Sequence, residues 1–245
     1  IGLAMVIPWL FLFKRHINAY KALSLKFKIY LVGIGIASSI GINYLQALAL
    51  TNTSAVNFSF LYRTIVVFTI IFAYIFFKEA ITLKKWFLTL LILTGSYLLT
   101  TGGQIIALTR GDIYTLLMAA SAALVANILI KHTVSRMHPD LSGSAISIVS
   151  AASLLIFGYL SGNFTLPVNL LMILVGAAFS FTLTMARNRA YTFSTASFVT
   201  MIFSLTPVFV ALLSYPLLGE RLEPVEIVGG ALIVGSTFLV EKFKI

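Results

Sequence analysis

Residues 49–95 read ALTNTSAVNFSFLYRTIVVFTIIFAYIFFKEAITLKKWFLTLLILTG, and residues 190–235 read AYTFSTASFVTMIFSLTPVFVALLSYPLLGERLEPVEIVGGALIVG. Each copy is a long apolar run with a Glu near its end, a short polar turn and a second apolar run that closes on Gly. Glu79 in the first copy matches Glu220 in the second at a shift of 141 residues, and the same shift joins Ala55 to Ala196 and Val67 to Val208. Ordered matches at one shift predict an internal duplication, which is typical of transporters built from two related halves.

The composition predicts a protein dissolved in a lipid bilayer. The chain has 245 residues, of which 60% are hydrophobic and 10% charged, and its mean hydropathy is +1.03. A soluble domain of this size could not bury so much apolar surface. The absence of cysteine excludes disulfides, Cys-zinc sites and thiol catalysis. The net charge of +10 does not indicate nucleic acid as a partner, because the Lys and Arg residues fall between apolar runs.

A transmembrane helix needs roughly 20 apolar residues. The apolar runs of the chain therefore predict an all-α polytopic membrane protein with nine transmembrane helices. The predicted spans are 1–13, 27–50, 54–77, 86–100, 112–130, 141–160, 167–185, 192–218 and 225–240. A polar break at 102–111 separates a first repeat, 1–101, from a second, 111–245. If the halves are copies, one span is missing before Ile1, and five spans per half make the second repeat inverted.

The loops predict the orientation of the chain in the membrane. Alternate loops carry 14 of the 17 Lys and Arg residues, and the other loops carry 2. Because cytoplasmic loops are enriched in Lys and Arg, we expect residues 14–28 and the C-terminus to be cytoplasmic. The predicted location is the cell (inner) membrane. Asn163-Phe164-Thr165, a triplet of the glycosylation type, falls in an external loop.

The second copy carries motifs that resemble a known family. They are Thr206-Pro207-Val208-Phe209, then Leu218-Gly219-Glu220-Arg221-Leu222, then Gly229-Gly230. Together with the duplication they resemble the EamA-like branch of the drug/metabolite transporter superfamily, although the first copy has Phe77-Lys78-Glu79-Ala80-Ile81 at the turn. The resemblance implies ten spans in two inverted five-span repeats. It also implies transport of small molecules such as amino acids, sugars, nucleotide derivatives or drugs.

Arg63 is the leading candidate for contact with a substrate. It lies about ten residues into its span, where a charge is costly and is a functional candidate by default. No Asp or Glu lies at mid-depth in the predicted spans, so a substrate carboxylate or phosphate could supply the opposite charge. The alternative is that Arg63 snorkels or bonds to helix carbonyls and to tyrosines such as Tyr62.

Polar residues at helical spacing provide further candidates for a cavity between the repeats. The predicted substrate-binding set is Arg63, Asn43, Gln46, Ser59, Thr184, Thr200, Ser204 and Asn127. For Ser39, Ser180 and Thr200, helix–helix hydrogen bonding is the favoured interpretation. For Asn43 and Gln46, lining of the cavity is favoured. Gly33, Ala37 and Gly41, at four-residue spacing, predict close approach of another helix.

Other polar residues have structural interpretations. Glu79 and Glu220 could carry protons, but capping of the next helix or pairing with a base explains them more simply. Pro207 is expected to bend its span. The three histidines, His16, His132 and His138, are scattered over cytoplasmic loops and predict no metal site.

The leading hypothesis is a secondary transporter that moves an amino acid or related small molecule by export or exchange through alternating access. Alternatives are a phosphorylated-sugar or nucleotide-sugar exchanger and a non-transporting scaffold or sensor. No clustered His, Asp or Glu indicates an enzyme, and no cofactor is predicted. The lack of a mid-membrane carboxylate favours facilitated diffusion or exchange. The expected partners are the substrate and the lipid bilayer, and a homodimer is compatible with the sequence.

Overall fold

A computed structural model describes residues 2–105, 107–161, 170–219 and 221–243, and every regular element in these ranges is helical. Two π-helical turns, at Ser39–Tyr44 and Ala123–Leu129, interrupt longer helices. The α-helices are α1 Gly2–Arg15, α2 Ile17–Ala22, α3 Leu25–Ser38, α4 Leu45–Asn52, α5 Ala55–Tyr62, α6 Ile65–Phe77, α7 Leu83–Thr101, α8 Arg110–Ala122, α9 Ile130–Val134, α10 Pro139–Leu160, α11 Leu170–Phe193, α12 Ala196–Phe203, α13 Thr206–Leu218 and α14 Pro224–Phe243.

Seven helical segments of the described chain are long and apolar enough to cross a membrane: Leu25–Asn52, Ala55–Phe77, Arg110–Val134, Pro139–Leu160, Leu170–Phe193, Ala196–Ser214 and Pro224–Phe243. The other two predicted spans form α1 and α7. The 14 residues of α1 rise only about 21 Å, which is less than a hydrocarbon core of about 30 Å. Helix α7 has 19 residues, but it opens with Lys84-Lys85 and closes on two threonines. The predicted count of nine spans is therefore not confirmed.

The apolar surface of these helices supports their placement in lipid. In α11, Leu171 and Phe179 are 72% and 74% exposed. A monomeric protein in water rarely exposes a contiguous apolar patch of this kind. The chain is therefore a multi-pass membrane protein, as its composition predicts.

The helices form two compact units. Unit 1 contains Ile1–Asn43 and Leu129–Ser194, and unit 2 contains Tyr44–Ile128 and Thr195–Ile245. Each unit therefore draws on both predicted repeats. The repeats at 1–101 and 111–245 describe duplication along the sequence, and they stay a prediction.

In unit 1, helix α10 packs against α1, α3 and α11. At the contact with α3, a Cβ added to Gly35 would lie 2.6 Å from Val149 Cβ. Gly33 has no neighbour within 4 Å of such a Cβ, so the prediction that Gly33 allows a close helix approach is wrong. The hydroxyl of Ser39 donates to the Ser150 carbonyl at 2.7 Å, which confirms helix–helix bonding for Ser39.

In unit 2, helices α7 and α14 form the most extensive helix pair. A Cβ added to Gly95 would lie 2.7 Å from the Gly229 carbonyl oxygen, so the two backbones are in contact at these glycines. Near one end of the pair, Lys84 Nζ lies 5.0 Å from the Phe243 ring centre. The start of α7 therefore lies beside the end of α14, and the two helices are antiparallel.

Candidate functional site

Two predicted spans of unit 2 are broken at corresponding positions. Helix α5 ends at Tyr62 and α6 begins at Ile65, whereas α12 ends at Phe203 and α13 begins at Thr206. The shift of 141 residues relates the two breaks. Transporters commonly bind substrate at discontinuous helices near the middle of the membrane.

Arg63 and Ser204 occupy the two breaks, and each donates its backbone N–H three residues back. Arg63 N lies 2.9 Å from the Phe60 carbonyl, and Ser204 N lies 3.1 Å from the Met201 carbonyl. Pro207 follows the second break and was expected to bend its span. Because the first break forms without a proline, Pro207 is not required for this geometry.

Arg63 lines a cleft of about 620 Å³ inside unit 2. The cleft lies between α5, α7, α13 and the start of α14. Its polar lining consists of Ser59, Arg63, Thr100, Ser214, Arg221 and Glu226. Two guanidinium groups and one carboxylate therefore border a space of the size that small molecules occupy.

The guanidinium of Arg63 retains an unused donor. Its Nε is buried and has no hydrogen-bond partner, and within the described part of the chain no carboxylate forms an ion pair with it. The predicted contact with Tyr62 is present, with the guanidinium carbon 5.8 Å from the ring centre. An aromatic face offsets only part of the cost of a buried charge. Arg63 is therefore suited to an anion brought by a ligand.

Of the other predicted residues, Ser59 lines the same cleft. Thr200 and Ser204 are buried in α12 and its C-terminal turn, and their hydroxyls bond within the helix. Thr200 Oγ1 donates to the Ala196 carbonyl at 2.8 Å, and Ser204 Oγ donates to the Thr200 carbonyl at 3.2 Å. Their hydroxyl protons are thus already used, and the Thr200 bond lies within α12, so the helix–helix bond favoured for Thr200 is not the one observed.

Asn127 is buried in the π-helical turn after α8 and joins it to α6. Its side-chain amide donates to Thr69 Oγ1 at 2.7 Å.

In unit 1, Asn43 is exposed and donates to the Ser38 carbonyl at 3.2 Å, while Thr184 is half-buried. In unit 2, Gln46 is half-buried on α4. Asn127, Asn43, Thr184 and Gln46 do not line the cleft around Arg63. Of the eight candidates, the cleft brings together Arg63 and Ser59.

No sequence pattern marks Thr100, Ser214, Arg221 or Glu226 as part of a site. In the sequence, Arg221 stands out as a loop charge and as part of the turn motif Leu218-Gly219-Glu220-Arg221-Leu222. Its position in the cleft depends on the packing of α13 and α14 against α7. No local sequence pattern reports that packing.

Glu79 caps the first turn of α12. Its carboxylate accepts hydrogen bonds from Ala196 N at 2.9 Å, Ser197 N at 3.3 Å and Ser197 Oγ at 2.6 Å. A negative charge is favourable at this position, because the helix N-terminus carries partial positive charge. The capping interpretation is confirmed for Glu79, but the capped helix is α12 and not the next helix, α7. Glu220 and the triplet Asn163-Phe164-Thr165 lie outside the described residues.

Two of the three histidines lie together, so the expectation from the sequence that all three are scattered is wrong. The rings of His16 and His138 stack with centroids 4.5 Å apart in unit 1, and ligand atoms of both lie within 4.8 Å of an Asp140 oxygen. Asp140 accepts two bonds from Arg189, at 3.3 and 3.1 Å. This arrangement does not fit a cation, since Arg189 already neutralises the carboxylate and stacked imidazoles do not direct their lone pairs to one point.

Comparison with known proteins gives one family and one fold. The family model described as the EamA-like transporter family matches residues 1–101 and 109–241. One crystal structure of a protein superimposes with a TM-score of 0.75 at 16% identity, over 96% of this chain and 85% of that chain. At this identity the match shows the fold alone. No curated protein matches the chain.

Proposed function

The chain belongs to the EamA-like transporter family, and from this premise we propose that it is a secondary transporter for a small metabolite that carries an anionic group. The observation that supports the proposal is Arg63, which lines a cleft of about 620 Å³ and has a buried Nε without a hydrogen-bond partner. In this proposal nine spans of two inverted repeats cross the membrane, and the substrate moves by alternating access.

The charge of Arg63 explains why the substrate should be anionic. A guanidinium at mid-depth in a span loses its hydration, so it is stabilised most by a ligand that brings a carboxylate or phosphate. An amino acid or a related compound is the first choice. Its carboxylate would bind Arg63, and Glu226 provides a negative charge on the same cleft for its ammonium group.

A phosphorylated sugar or nucleotide sugar is the second candidate, and Arg221 favours it. The sequence offers no second basic residue at mid-depth, but Arg221 brings a second guanidinium to the lining of the same cleft. Two guanidinium groups suit a phosphate, whose oxygens accept several bidentate bonds. The two candidates differ in the contribution of Arg221, which a single substitution measures.

The proposal predicts that Arg63→Ala abolishes ligand-induced thermal stabilisation while the empty protein melts near the wild-type temperature. Purified protein is screened against amino acids, sugar phosphates and nucleotide sugars. A charged hydrogen bond contributes on the order of 1.5–3 kcal/mol, which is roughly tenfold to over a hundredfold in affinity. Arg63→Lys should recover only part of the binding, because an ammonium lacks the planar fork of the guanidinium.

The matched control is Arg110→Ala, which removes an exposed Arg of the same unit that does not line the cleft. It should bind as the wild type does. Near-normal affinity in folded Arg63→Ala protein would remove Arg63 from the site. A further Arg221→Ala variant should weaken phosphate ligands much more than amino acids if the second candidate is correct.

A further inference from the structure

Unit 2 has a cleft at each of its two ends. The Arg63 cleft is bordered by the first residue of α5, Ala55, by Thr100 near the end of α7, and by Glu226 at the start of α14. The opposite end of the unit holds the end of α6, the start of α7 and the end of α14, where Lys84 meets Phe243. At that opposite end the carboxylate of Glu79 joins α6 to α12.

The position of Glu79 is fixed by the end of its own helix. Lys78 adopts a left-handed conformation with φ of 56°, and the Glu79 N–H donates to the Ala73 carbonyl at 3.3 Å. The Lys78 N–H also donates to the Tyr74 carbonyl at 3.0 Å, which is the bond of the αL motif that closes a helix C-terminus. The side chain of Glu79 therefore leaves α6 in a defined direction, and its bonds to α12 connect two helix ends rather than a helix and a free loop.

The cap that Glu79 provides is additional to a local one. Thr195 already caps α12, since its Oγ1 accepts from Phe198 N at 3.1 Å, as helix N-caps normally do. Glu79 satisfies two further backbone donors and one hydroxyl from 117 residues away in sequence. Beneath this contact, Ala196 is fully buried in a cluster with Ala73 and Ile128. The carboxylate thus lies over a buried apolar contact between α6 and α12.

We propose that Glu79 is a latch that holds the end of α6 against the start of α12. Release of the carboxylate from Ala196 and Ser197 would separate the end of α6 from the start of α12. It would thereby enlarge the neighbouring cleft of about 590 Å³, whose polar lining includes Glu79, Thr82, Lys84 and Thr195. The use of the latch in transport rests on the proposed function, whereas the latch itself does not.

The absence of native cysteine makes the latch testable by thiol labelling of purified protein in lipid nanodiscs. Thr200→Cys places a probe four residues from Ala196 on the same face of α12, at a position that is 6% exposed. Adding Glu79→Gln, which keeps the side-chain size but removes the charge and one acceptor, should raise the maleimide labelling rate about tenfold or more. Glu241→Gln, an exposed Glu at the end of α14, is the control and should leave the rate unchanged.

A second buried probe separates opening of the latch from general loosening. Thr115→Cys in α8 also replaces a buried Thr, and its labelling should not respond to Glu79→Gln. Equal increases at both probes, or no increase at Thr200→Cys, would overturn the latch. If Glu79→Gln does not fold, Ser197→Ala is the test, because it removes only the 2.6 Å hydroxyl bond to Glu79. It should give a smaller rise in the labelling rate of Thr200→Cys. An unchanged labelling rate would then overturn the proposal. Labelling needs no substrate, so its outcome is independent of the Arg63 test.

Discussion

Lys78 and Gly219 occupy corresponding positions in the two copies and share an uncommon backbone conformation. Their φ values are 56° and 73°, in the left-handed region that favours glycine. Lys78 is the one residue other than glycine with positive φ in the described ranges. The same conformation at a shift of 141 residues supports the predicted duplication at a level of detail that hydrophobic patterns do not reach.

This conformation predicts different effects of substitution at the two positions. Gly219→Ala should lower the free energy of unfolding by about 1 kcal/mol, because a side chain is strained there. Lys78→Gly should be close to neutral, since relief of strain is offset by the greater freedom of glycine in the unfolded chain. Thermal unfolding in one detergent measures both variants. A Gly219→Ala protein as stable as the wild type would contradict the assigned conformation.

At the scale of elements, small residues decide which helices touch. Gly229 faces the backbone of α7, where an added Cβ would lie 2.5 Å from Leu99 N and 2.6 Å from the Gly95 carbonyl oxygen. The adjacent Gly230 meets only Leu99 Cδ1 at 3.8 Å, which is ordinary contact. Sequence identifies both glycines but does not distinguish them, because only the packing partner makes one of them indispensable.

We therefore predict that Gly229→Ala destabilises the protein and Gly230→Ala does not. The first variant must push two backbones apart, and overpacking of this kind costs about 1–3 kcal/mol. The second gains helix propensity of about 1 kcal/mol relative to glycine. Melting temperatures of the two purified variants provide the test. Equal shifts of both melting temperatures would show that α7 and α14 do not approach at Gly229.

At the scale of the whole molecule, the charge asymmetry of the loops sets the expected orientation. Alternate loops carry 14 basic residues against 2 in the others. We propose that residues 14–28 and the C-terminus are cytoplasmic and that the protein resides in the inner membrane. A miscounted span would have mixed basic and neutral loops, so the asymmetry also supports nine spans.

Labelling of single cysteines in intact cells tests this orientation. A membrane-impermeant maleimide should not label Lys21→Cys, because α2 belongs to the segment 14–28 that is expected inside the cell. It should label Asn163→Cys, which belongs to a predicted external loop outside the described residues. The reverse pattern would invert the topology, and it would place the Arg63 cleft on the cytoplasmic side.

The sequence by itself determined that the chain lies in a membrane, where most of its helices run and which family it belongs to. These properties depend on local hydrophobicity and on the order of matched residues. It also identified Arg63, because a charge in an apolar run is visible without coordinates. Only the tertiary structure decided that Glu79 caps α12, that Gly35 rather than Gly33 meets α10, and that Arg221 borders the same cleft as Arg63. Each of these depends on which helix faces which, a long-range contact that no local pattern of residues specifies.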